Sequence, residues 1–321
     1  MGVTRAKPED KMALFNFTKK PNQTGVLNQD LESFLADYSI EVMPRTAQKV
    51  EDFRAILPQE TRVYIAHIEG TPIEDMVATA ARLAKEGFAV MPHFPARIIK
   101  DKATLENWIA QYQSEAGVDQ ALLLAGGVTT PHGDYDSSMQ LLETELFDKA
   151  GFKHLHVAGH PEGNKDIDPD GSMKNVEAAL HWKQAFSQRT GAQMALATQF
   201  AFEAGPIIEW ANAIKAAGID IPIHIGIAGP AKLQTMIKFA IACGVGPSLK
   251  VLQKRAMDVT KLLLPYEPTE VLTQLAQHKA KNPDFNITNV HIFPLGGIKT
   301  SATWVTEHGG KSGIPAQIVE G

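Results

Sequence analysis

Near the start of the chain one acid interrupts an apolar run, and it has more chemistry to offer than any other residue. In YSIEVMP, Glu41 stands between Ile40 and Val42. Burial there without a partner would raise its pKa and keep it protonated near neutrality. A carboxyl in that state is a general acid. Pairing with Arg45 or Lys49 at a sheet rim is the alternative, and it would keep Glu41 ionised. Other polar residues also stand where apolar runs end: His67, His93, Gly126 with Gly127, His160 with Glu162, Gln199, and Gly296 with Gly297. The Gly126–Gly127 pair suits either a plain turn or the approach of main-chain N–H groups to a ligand.

The histidines of HLHVAGH suggest metal chemistry, because His154 and His156 share one face of a strand. Both fall near the start and middle of that strand, and a hydrolytic zinc site needs further ligands that are not in view. They read as satisfied core or surface histidines, and no metal is expected. His93 and His160, at strand ends, are better placed to meet a ligand.

A strand, helix and strand within residues 191–227 set the architecture. GAQMALATQ alternates with period two, EAGPIIEWANAIKAAG has helical spacing with Pro206 in its first turn, and a second apolar run spans 219–227. Such a unit is right-handed and presents ligands at the carboxyl ends of its strands. Gln199 stands at one of those ends. The same alternation recurs, with strands expected at 38–43, 62–68, 88–93, 120–125, 153–158 and 289–295. Helices are expected between them, including one over 45–57 and a long region from 231 to 281. Eight strands each followed by a helix predict a single-domain (β/α)8 TIM barrel over 31–306. Residues 1–30 read as an N-terminal extension with one apolar anchor at 13–17, and 307–321 as a flexible tail.

Composition narrows the function classes. The chain has 321 residues, 44% of them hydrophobic, enough for one large core. A net charge of −5 gives no electrostatic reason to expect nucleic acid or an anionic membrane. The lone Cys243 forbids an internal disulfide and suits a reducing cytoplasm. No run is long enough to cross a bilayer, and the charged start does not read as a secretory signal. No dinucleotide fingerprint or Walker motif is present. A homo-oligomer is compatible with all of this.

SIEVMPRT, MPH, HVAGHPEG, ATQFAFEAG and IPIHIGIAG occur in this order, and together they resemble the catalytic barrel of methylenetetrahydrofolate reductases. The resemblance runs from about residue 38 to the eighth strand. It implies reduction of 5,10-methylenetetrahydrofolate to 5-methyltetrahydrofolate, with Glu41 as general acid. It further implies that Gln199 meets the pterin edge, that Phe202 packs on a flat ring, and that Gly127 adjoins the substrate. His93, Gly126, His160 and Asn164 match positions that hold FAD in the family. The chain departs from the family where Ala125, Gly126 and Gly127 replace Arg-Gly-Asp, and where Ser137, Ala178 and Ala185 replace polar flavin contacts. These departures point to a branch in which NADH or NADPH passes hydride directly to the folate, although FAD is the family's usual cofactor. A folate-dependent methyltransferase and a non-catalytic folate-binding protein are the alternatives on the same barrel.

Overall fold

A computed structural model describes residues 23–244, 251–253, 265–311 and 313. Eight parallel strands close in sequence order into one barrel: β1 (Ser39–Val42), β2 (Arg62–Ile65), β3 (Ala89–Pro95), β4 (Gln120–Leu124), β5 (His154–Gly159), β6 (Gln193–Ala201), β7 (Ile223–Ala228) and β8 (Ile287–Phe293). This is the (β/α)8 barrel that the alternating runs predict. The helices in chain order are α1 (Gln23–Leu35), α2 (Pro44–Ala47), α3 (Ile73–Lys85), α4 (Lys102–Ala116), α5 (Ser138–Glu143), α6 (Leu146–Lys149), α7 (Lys174–Thr190), α8 (Ala204–Ala216), α9 (Leu233–Ala242), α10 (Thr269–Lys281) and α11 (Ile298–Glu307).

Period two divides each strand between two environments. Ile40, Val63, Val90, Leu123, Leu155, Leu196, Ile225 and Ile292 belong to the main core, which joins the strands to the surrounding helices. The registers put Glu41 beside Tyr64, Tyr64 beside Met91, and His93 and His156 on either side of Leu122. They also put Ala197 beside His224 and Ser39 beside His291. The inner face is therefore partly apolar, with Tyr64, Met91, Leu122 and Ala197 in one cluster, and partly polar. A barrel interior is ordinarily filled by branched apolar residues. Here it carries a carboxylate, a phenol and several imidazoles.

The connections depart from expectation in three places. Instead of one helix over 45–57, the chain makes the short α2 and a 3-10 turn at Phe53–Ala55. Arg82 of α3 explains the break, because its guanidinium donates to the carbonyls of Ala47, Val50 and Glu51, taking acceptors that a continuous helix would use. The helix expected after β4 is split into α5 and α6 at Glu145, whose φ of 58° lies in the left-handed region. Helix α1 begins inside the stretch expected as an extension, and buries Leu31, Phe34 and Leu35. The proposed anchor at 13–17, most of the tail and much of 245–264 lie outside the described residues. No helix among the described residues is long and apolar enough to cross a membrane.

Candidate functional site

Glu41 lies in the barrel between two imidazoles. Oε2 is 3.3 Å from Nε2 of His93 and 3.9 Å from Nε2 of His291. Burial by itself would push the carboxyl up. The two imidazoles, His291 and then His93, outweigh that by favouring the charged form and take its pKa down to about 2. This corrects the expectation of a lone protonated acid. Its partners are neither Arg45 nor Lys49 but two strand residues far away in sequence. The resting group is a carboxylate, and any proton it delivers must be shared with its histidines. His291 is anchored in turn, with Nδ1 2.9 Å from Oγ of Ser39, and its ring centroid is 4.3 Å from that of Tyr64. Burial keeps His291 below the usual imidazole range, although Glu41 pulls the other way.

Gln199 is exposed at the top of β6, where the register to β7 shifts between Ala197 and Phe200. This irregularity re-aims the strand end. Gly226 makes it possible, since a Cβ there would come within 2.3 Å of the Thr198 carbonyl oxygen. The Gln199 side chain lies near Cys243, just beyond α9. Burial, and then the negative potential of Glu41, push the Cys243 thiol up to about 11. The thiol beyond α9 therefore lies within the field of the β1 carboxylate and close to the β6 amide.

The other expected site residues fare differently. Phe202 is only 8% exposed and makes T-shaped contacts with Phe200 and Tyr266, so little of its ring is left for a ligand to stack on. Gly126 has a φ of 100°, and a Cβ there would come 3.0 Å from Cβ of Pro95, so the turn itself requires glycine. Gly127 is exposed and faces open space. Burial, helped by Lys183, takes the His160 pKa down to about 4. Asn164 uses its side-chain oxygen to accept from the Asp166 N–H, a local turn bond. No group of three or more His, Cys, Asp or Glu side chains with metal-ligand geometry, around His154 and His156 or elsewhere, is found among the described residues. His156 bonds Tyr64 inside the barrel.

Sequence reasoning missed Ser39, Tyr64, Arg97 and His291. Tyr64 in RVYI and His291 in NVHIF carry the same signal as Glu41, a polar group inside an apolar run. Arg97 joins three loops: it donates to Asp136 at 2.7 Å, to Asp166 at 2.6 Å and to the Val128 carbonyl at 3.1 Å. These loops fit a flavin dinucleotide poorly. The cation they share is already matched by two carboxylates, and Gly126 and Gly127 bring no side chain to a pyrophosphate.

Fold and site together define a (β/α)8 barrel with an acid–imidazole centre at the carboxyl ends of its strands. No family model matches the chain. Among solved structures, an uncharacterized protein from Clostridium thermocellum that binds two copies of 5-methyl-5,6,7,8-tetrahydrofolic acid is similar at a TM-score of 0.57 and 11% identity, over 88% of this chain and 98% of that one. A Yersinia pestis DHPS with a pterine–sulfa conjugate follows at 0.42 and 14%, over 87% and 94% of the two chains. The catalytic domain of a mannanase from Streptomyces sp. SirexAA-E stands at 0.38 and 16%, over 65% and 73%. At these identities the likeness establishes the fold alone.

Proposed function

We propose that this barrel binds a reduced folate at its mouth and reduces 5,10-methylenetetrahydrofolate to 5-methyltetrahydrofolate, taking hydride from NADH or NADPH without a bound flavin. The observation that supports the reading is Glu41, set in the barrel between His93 and His291, with Gln199 exposed at the end of β6. Opening the five-membered ring needs a proton on a poorly leaving nitrogen, after which the exposed iminium carbon accepts hydride. The proton comes from the Glu41–histidine group, taken up as the substrate covers the mouth and excludes water. The amide of Gln199 offers a donor and an acceptor to a pterin edge. The neighbour that binds 5-methyltetrahydrofolic acid on the same fold supports the choice of ligand.

The test is oxidation of NADH and of NADPH with methylenetetrahydrofolate, with and without added FAD. Glu41→Gln should lower turnover by about 100-fold or more while leaving folate binding largely intact. Unchanged turnover in that variant removes Glu41 from the mechanism. The open space at Gly127, where the resemblance leads one to expect an aspartate, favours one second reading: a protein that binds folate without reducing it. Tight folate binding with no oxidation of either dinucleotide would select that reading. Methyl transfer without either oxidation would select a methyltransferase.

A further inference from the structure

Behind Glu41 the polar contacts continue inward. Oγ of Ser39 lies 2.9 Å from Nδ1 of His291, Oη of Tyr64 lies 2.5 Å from Nδ1 of His156, and the Tyr64 and His291 rings pack with centroids 4.3 Å apart, which brings the Ser39 hydroxyl near the phenol. Ser39, Tyr64, His156 and His291 are all no more than 2% exposed. The next side chain on the same face of β5 is His154, half-buried at the opposite end of the barrel from the mouth, with its ring centroid 6.5 Å from that of His156. Hydroxyls both donate and accept, and a neutral imidazole does one at each nitrogen, so these groups can form a chain of hydrogen bonds pointing one way.

We propose that Tyr64 and His156 extend the Ser39–His291–Glu41 contact into a proton relay, which reloads Glu41 from inside the barrel while a bound folate covers the mouth. The proposal rests on Glu41 being the proton donor. Each group passes one proton to the next. Nδ1–H of a transiently protonated His156 goes to Tyr64, the phenolic proton to Ser39, the hydroxyl proton to Nδ1 of His291, and Nε2–H of His291 to Glu41 once the 3.9 Å between them closes to hydrogen-bond length. Every intermediate group is left neutral. The carboxylate has gained a proton, and His156 has lost the one it took up from the His154 side. Burial, then the charges of His224 and Arg62, hold His156 well below the usual imidazole range, so a proton passes through rather than resting there. Tyr64 and His156 are positioning and relay groups, since neither borders the mouth.

Two conservative variants test this. Tyr64→Phe keeps the ring and removes the hydroxyl. His156→Asn keeps a hydrogen-bond partner near the Nδ1 position but cannot take up a second proton. Each should lower kcat by about tenfold or more, raise the solvent deuterium isotope effect on kcat, and leave the 5-methyltetrahydrofolate Kd within about twofold. Two results overturn the relay: wild-type kcat in both folded variants, or a loss of kcat that tracks lost folate binding with the isotope effect unchanged. Glu41→Gln in the same assay separates the two ideas. If it retains turnover, the proton-donor reading falls and the relay falls with it. If it is inactive while both inner variants behave as wild type, only the relay falls.

Discussion

Lowering the pH from 7 to 5 should remove about 2 kcal/mol of stability through His224 alone. The residue is 5% exposed inside the barrel, with its ring centroid 4.6 Å from that of His156 and no hydrogen-bond partner for Nδ1. Burial, then the charges of Arg62, His291 and His154, take its pKa down to about 3. In the unfolded chain it returns to about 6.5. Between these values the unfolded state binds a proton that the folded state refuses, so stability falls by about 1.4 kcal/mol per pH unit as acid is added. The contribution is complete above about pH 6.5 and is lost progressively toward pH 3, which gives about 2 kcal/mol at pH 5. His160, lowered to about 4, acts in the same direction. Glu41 does not enter this window, because a carboxylate held near 2 loses its contribution only below about pH 4.5. Urea unfolding followed by tryptophan fluorescence at pH 7 and pH 5 measures the loss. In His224→Gln the difference between the two pH values should shrink by about 2 kcal/mol. An undiminished difference in that variant would refute the assignment of a neutral buried His224.

Two further outcomes follow from local geometry. Gly126→Ala should destabilise the protein by about 1–2 kcal/mol, because a positive φ and the close Pro95 both oppose a Cβ, whereas Gly127→Ala should leave the melting temperature nearly unchanged. Equal melting temperatures for the two variants would contradict the loop geometry. Cys243, beside Gln199 beyond α9, should react slowly with maleimide at pH 8 because its pKa is raised to about 11, and more slowly still with 5-methyltetrahydrofolate bound. Labelling that is indifferent to the folate would place the ligand away from Gln199.

Alternation of apolar residues determined the strands by itself, since period two is a local property and each run buries one face against the helices. Helix spacing likewise marked where most connections lie, and Glu41 and Gln199 were visible as polar groups where apolar ones belong. The break after β1 was not visible, because Arg82, a residue of another helix, takes the carbonyls that the expected helix would have used. The ionisation of Glu41 was hidden for the same kind of reason. Its sequence neighbours are apolar and speak for a raised pKa, while the groups that decide it come from β3 and β8, brought to β1 only by closure of the barrel. Burial can be read along a chain, but a partner more than two hundred residues away exists for a carboxylate only once the strands have met.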